Sequence, residues 1–126
     1  MANPVVHFEI AGPDPAQLRR YYGELFGWSA PAGSPVAPEV SQVDEYSFIE
    51  ADVASPGIPG GIGGGAGRDP RAMFYVGVPD VEEALAEAER LGGTRVFGPA
   101  HNAAGGVVVG HFTDPAGNLI GVAGPA

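Results

Sequence analysis

The groups best able to do chemistry at neutral pH are 3 histidines and 15 acidic residues, in a chain with no cysteine. The missing cysteine removes thiolate nucleophiles, disulfides and zinc–thiolate sites. Two of the polar groups stand together in VVHFEI. If that run is a strand, His7 and Glu9 point one way and Val6, Phe8 and Ile10 the other. Glu50 closes YSFIE, where alternation puts Tyr46, Phe48 and Glu50 on one face. In GVVVGHFTD, His111 alternates with Phe112. His7 and His111 with Glu50 or Glu9 would make a two-histidine, one-carboxylate set of the kind that binds Fe(II) or Zn. The same His–Glu proximity suits general acid–base work, because histidine titrates near neutral pH. The plain alternative is that His7 and Glu9 only hydrogen-bond neighbours across a sheet. His101 stands beside Asn102 in a loop and reads as solvated. Trp28, Tyr46, Phe48 and Tyr75 can line an apolar cup, with a stacking face and a polar handle for a planar ligand. Ordinary core is the competing reading for each.

Two capped helices must position these groups. In AGPDPAQLRRYYGELFGW, Asp14 caps the start, Pro15 suits the first turn, Gln17 completes a capping box and Gly27 ends the helix. Leu18, Tyr21, Tyr22, Leu25 and Phe26 recur at helical spacing and predict its buried stripe. Arg19 and Arg20 read as a solvated flank. In PDVEEALAEAERLGG, Asp80 caps, Val81, Ala84, Leu85, Ala88 and Leu91 form the stripe, and Gly92 and Gly93 stop the helix.

Each helix follows a strand-like run, VVHFEIAG or AMFYVGV. After the first come WSA, EYSFIEA and a weak GIPGGI. After the second come TRVF, GVVVGHFTD and NLIGVAG, the last two joined by the tight turn DPAG. His7 then aligns with Met73, Phe8 with Phe74, Ile10 with Val76 and Asp14 with Asp80. The repeat of about sixty residues is too long for a solenoid and fits two fused βαβββ modules. The expected architecture is α+β, one domain over residues 1–126. Its modules span about 4–62 and 72–124, and a Gly/Pro-rich linker covers about 54–71. Curled mixed sheets would enclose a cavity, with helices outside. His7, Glu9, Met73 and Tyr75 would face in, and His111 with them.

Composition narrows the function. The hydrophobic fraction is 44% and the charged fraction 17%, which describes a globular chain. A formal net charge of -9 argues against nucleic acid or an anionic membrane as partner. No apolar run reaches the ~20 residues of a membrane span, and no secretion signal is evident, so a cytoplasmic location is expected. GGIGGG lacks the Gly-Lys-Ser/Thr of a phosphate loop.

VVHFEI…DPAQLRRYYGELFGW, YSFIEADV…GGIGG, FYVGVPDVEEALAEAERLGGTRV and HFTDPAGNLIGVAG, in that order, resemble the vicinal oxygen chelate superfamily. This group contains glyoxalases, bleomycin-resistance proteins and extradiol dioxygenases. The resemblance covers nearly the whole chain. It implies paired βαβββ modules, a homodimer, and in the enzymes a divalent metal held by the first and last strands of each module. His7 stands at the first ligand position. Its counterpart in the second module is Met73. The carboxylate position of the last strand is Gly121, and its first-module counterpart falls on Gly60 or Gly61. Glycine offers no side-chain donor, and a thioether suits Mg, Mn or Fe(II) poorly. The reading is therefore a small-molecule-binding protein without metal or other cofactor. It would sequester an aromatic or cationic natural product, as the drug-resistance members do. The candidate ligand face takes His7, Glu9, Trp28, Tyr46, Phe48 and Glu50 from the first half and Met73, Tyr75, His111 and Gly121 from the second. The alternatives are a metal-dependent lyase, isomerase or dioxygenase, or a structural or regulatory dimer without ligand.

Overall fold

A computed structural model describes residues 2–31, 33, 36–42, 44–50, 57–102 and 106–126. These residues fall into two compact units, His7–Ala72 and the rest of the described chain.

The first unit is built from β1 (Val5–Gly12, whose first two residues belong to the second unit), α1 (Pro15–Phe26), β2 (Ser47–Ile49) and β3 (Gly60–Gly64). β3 runs parallel to β1 and antiparallel to β2. The predicted strand WSA is absent: residues 28–31 are irregular. Nothing in that run alternates for long enough to hold a ladder, and Pro31 cannot donate to one. Residues 51–56, which hold the end of EYSFIEA and the start of the predicted linker, lie outside the described residues.

β3 is a strand of nearly bare backbone, GGIGG, buried throughout. Glycine weakens a strand unless something needs the space above it. Here aromatic rings need it on both faces. A Cβ on Gly60 would stand 2.2 Å from the Phe8 ring, and one on Gly61 or Gly63 would stand 2.0 or 2.4 Å from Tyr46. The glycine run is thus a seat for two rings.

α1 begins and ends as its sequence predicts. The Asp14 carboxylate accepts from the Gln17 amide at 3.2 Å, and Gly27 closes the helix at φ 74°. The predicted stripe is only partly buried. Tyr21, Leu25 and Phe26 are 59%, 55% and 57% exposed. The inward residues are Pro15, Leu18, Arg19 and Tyr22, spaced as one helical face. The apolar arc is wider than a single helix–sheet contact can cover, so its outer half stays in water.

The second unit keeps the full predicted order: β4 (Arg71–Gly77, whose first two residues belong to the first unit), α2 (Val81–Arg90), β5 (Thr94–His101), β6 (Val107–Thr113) and β7 (Leu119–Pro125). β7 pairs with β4 in parallel and with β6 antiparallel, and β5 closes the order beyond β6. The Asp114 carboxylate accepts from the amides of Ala116 and Asn118 at 3.0 and 2.9 Å and shapes the β6–β7 turn. Asp80 caps α2 through the Glu83 amide at 2.9 Å. Val81 and Leu85 pack with Val108 and Val122 beneath the helix. Full burial of a leucine such as Leu85 stabilises by about 1.5–3 kcal/mol. Leu91, predicted in the stripe, is 64% exposed, because the helix has ended by that point. His101 is an exposed residue at the end of β5 rather than in a loop.

Candidate functional site

His7 and Glu9 share the β1 face opposite α1, as alternation requires, and a buried polar chain runs across that face. Glu9 is 1% exposed. One carboxylate oxygen accepts from Arg71 Nε at 3.0 Å and from Arg71 Nη2 at 2.6 Å. The other accepts from the Tyr46 hydroxyl at 3.1 Å. Arg71 Nη2 also donates to the Val40 carbonyl at 2.6 Å. A buried carboxylate needs such a cation, since an unpaired charge in this setting costs several kcal/mol.

Tyr46 is held from both sides. The Gly64 amide donates to Ser41 Oγ at 3.0 Å, and the Gln42 amide donates to the Gly64 carbonyl at 2.8 Å. Together with the Arg71–Val40 bond, these fix the segment that carries Tyr46 against β3. The Tyr46 hydroxyl has one proton and gives it to Glu9. His7 Nε2, 2.9 Å from that oxygen, must therefore be the donor. This assigns His7 the Nε2–H tautomer. Burial pushes its pKa down to about 4, so the ring is neutral at physiological pH and a weak base. Phe48 is 39% exposed and meets the His7 ring edge-on at 5.9 Å. Glu50 follows β2 and is exposed.

Trp28 departs from the expected ligand face. It packs 5.1 Å from Phe8 and 5.4 Å from Tyr22, on the α1 side of the sheet. Phe8 points that way by alternation, and the chain leaving α1 carries Trp28 onto it.

In the second unit Tyr75 and His111 are buried together, with the Tyr75 oxygen 2.7 Å from His111 Nε2. The Phe97 ring lies 4.3 Å from His111. Phe112 packs instead with the α2 core, as expected. Met73 is 7% exposed and shares the Tyr75 strand face. Gly121 pairs with Tyr75, and a Cβ there would stand 2.4 Å from the Tyr75 ring. In the first unit Glu9 pairs with Gly61, which lies under Tyr46. The ladders thus make Gly61 the equivalent of Gly121.

These residues do not fit a divalent cation bound in the superfamily's manner. Of the corresponding positions only His7 offers a nitrogen donor, and its Nε2 is hydrogen-bonded to Tyr46. The spaces above Gly61 and Gly121 hold tyrosine rings. Among the described residues no group of three or more His, Asp or Glu could hold a metal. A separate cleft of about 440 Å³ runs beside α2 and includes Val76, Leu91 and Phe112 in its wall. Its carboxylates are occupied, Glu87 by Arg90 and Asp114 by its own turn.

Sequence reasoning missed Arg71. A signal existed: all basic residues here are arginines, six in number, and a glutamate in so apolar a strand needs one of them.

Residues 7–123 match the family described as Glyoxalase-like domain, and the chain belongs to that family. Its fold is the α+β glyoxalase type of the vicinal oxygen chelate superfamily. A Streptomyces coelicolor methylmalonyl-CoA epimerase variant in complex with 2-nitronate-propionyl-CoA is similar in structure, at TM-score 0.70 and 13% identity over 100% of this chain and 99% of that one. The Mycobacterium tuberculosis methylmalonyl-CoA epimerase matches at TM-score 0.68 and 15% identity over 97% and 87%. A Bacillus halodurans protein matches at 0.68 and 16% over 100% and 96%. Identities this low carry the fold alone. No curated protein matches the sequence. No helix among the described residues is long and apolar enough to cross a membrane.

Proposed function

We propose that the chain is a small-molecule-binding protein that works without a divalent metal at the superfamily's usual positions. The observation that supports this is the filling of those positions. Tyr46 and Tyr75 lie where side chains at Gly61 and Gly121 would project. The ligand class is an aromatic or cationic natural product, held on the face that carries His7, Tyr46 and the half-open Phe48. Phe48 offers a stacking surface, and the net charge of -9 tolerates a cation. A homodimer in the cytoplasm is part of the same reading.

A thermal-shift panel of planar and cationic natural products, run with chelator present, tests it. A ligand that binds only the folded state raises Tm, and Phe48→Ala should reduce that rise. A flat panel contradicts the reading and favours a structural or regulatory dimer.

The structural neighbours favour a second reading, an isomerase acting on an acyl-CoA ester. One methylmalonyl-CoA epimerase among them is in complex with methylmalonyl-CoA. Such chemistry needs a base near neutrality, and His7, with its pKa pushed down to about 4, is poorly suited. Solvent-proton exchange into methylmalonyl-CoA, with divalent metal added, would establish this second reading.

A further inference from the structure

The cleft of about 440 Å³ beside α2 lies within the second unit, to which every residue of its wall belongs. Its origin is in the helix sequence. Val81 and Leu85 fill the space beneath α2. Ala84 and Ala88, one turn apart on the flank, carry only a methyl each and leave a groove. The groove reaches Val76, Phe112 and Val122 of the sheet. Leu91, just past the helix, forms part of its edge and is 64% exposed. One end is closed by backbone. A Cβ on Gly93 would stand 2.7 Å from the Thr113 carbonyl oxygen and 3.0 Å from that of Ala88, so the turn after α2 is seated on the end of β6. The Gly93 amide donates to the Ala88 carbonyl at 2.8 Å and fixes that turn. Asp114, next along the chain, therefore stands at the same end of the cleft as Leu91.

The charge of this wall has one sign. It holds two carboxylates, Asp114 and Glu87, and among the described residues no basic group. Hydrogen bonds from the Asn118 side chain and the turn amides hold Asp114 below the usual carboxylate range, and Arg90 does the same for Glu87. The bonds that make these groups poor metal ligands thus keep them ionised and in place. Arg90 answers Glu87, whereas among the described residues no basic side chain pairs with Asp114. Asp114 Oδ2 accepts from Asn118 Nδ2 at 3.0 Å and has room for a second donor. The C-terminal pole of the α2 dipole adds negative potential at the same end. Small-molecule clefts commonly measure about 300–1,000 Å³, so this one holds a compact ligand. An apolar wall with one aromatic ring and one anionic end is the complement of a flat hydrophobic amine.

We infer that the cleft beside α2 is a second small-molecule site, which takes a compact aromatic ammonium with its ring against Ala84, Ala88 and Phe112 and its charge toward Asp114. Its residues are separate from the His7, Tyr46 and Phe48 face of the first unit, and it stands independently of the function proposed above. A bound ring also covers Leu91, an exposed leucine that the packing of α2 does not use.

The test is a methyl NMR titration at neutral pH with three probes of one shape: naphthylmethylamine, naphthylmethanol and naphthoate. The amine should move the Ala84, Ala88 and Leu91 methyl resonances saturably. The alcohol should bind about 3- to 5-fold more weakly, the worth of one partly exposed charge pair, and naphthoate more weakly still. Asp114→Asn should bring the amine down to the affinity of the alcohol. Ala88→Leu fills the groove and should abolish the response. Should either variant fail to fold, Leu91→Ala, at an exposed position, removes one edge and must weaken the amine. Phe48→Ala should leave the response unchanged, which separates this site from the face proposed above. Unmoved Ala84 and Ala88 methyls, an alcohol or naphthoate that binds as tightly as the amine, or a response that survives Ala88→Leu or disappears in Phe48→Ala would overturn the inference.

Discussion

Both units place a tyrosine ring over a strand glycine and join its hydroxyl to a histidine, yet they arrive there by different routes. In the first, the ring comes from Tyr46, just ahead of β2, and covers Gly61, with His7 on β1 as its partner. In the second, the ring comes from Tyr75 on β4 and covers Gly121, with His111 on β6 as its partner. Glu9 occupies the ladder place in the first unit that Tyr75 occupies in the second. The first unit therefore carries a buried charge, and Arg71 must answer it. The second closes the same space with a ring whose hydroxyl meets a histidine. One backbone pattern supports both solutions because glycine leaves its space to whichever neighbour can fill it.

That contrast can be broken most forcefully at Glu9. Glu9→Leu leaves Arg71 half-buried without its carboxylate and the Tyr46 hydroxyl without its acceptor. The expected loss is about 3–5 kcal/mol by urea unfolding. Tyr75→Leu, at the equivalent place, removes a ring but strands no charge. A loss from Glu9→Leu smaller than from Tyr75→Leu would show that the ion pair does not distinguish the units.

The glycines come next. Gly61→Ala and Gly121→Ala each force a ring to move and should cost about 1–3 kcal/mol. In a Tyr46→Ala background the Gly61→Ala cost should nearly vanish, since the two residues contend for one space. Additive losses in that double-mutant cycle would sink the proposed competition.

The smallest effect is a pH dependence at His7. With its folded pKa lowered to about 4, His7 binds a proton more readily in the unfolded chain. Stability is complete above the ordinary histidine pKa near 6.5 and declines as pH falls from there toward 4. At pH 6 the loss is under about 1 kcal/mol, and solvent around the partly exposed ring trims it further. His7→Gln should flatten that part of the stability–pH curve. An unchanged curve would mean that the ring is not desolvated.

Much of this was legible in the chain. Asp80, Val81 and Leu85 announce α2, DPAG announces the last hairpin, and alternation puts His7 with Glu9 and parts His111 from Phe112. The illegible parts share a cause, which is that they depend on what covers a surface. Tyr21, Leu25 and Phe26 have the spacing of a buried stripe, but the sheet beneath α1 reaches only the Leu18–Tyr22 side. A glycine in β3 says that something approaches closely, and nothing local says that Tyr46 does. Trp28 reads equally well for either face until Phe8 and Tyr22 are seen to claim it. The Glu9–Arg71 pair spans 62 residues, beyond any local pattern.

The central claim, that tyrosines stand where the superfamily's metal-ligating side chains would project, is tested most directly by elemental analysis. The protein would be purified without chelator from cells supplemented with Fe, Mn, Co, Ni and Zn. The expected result is only trace metal, the same in wild type and His7→Ala. About one divalent ion per chain, bound through a nitrogen donor and lost in His7→Ala, would contradict it.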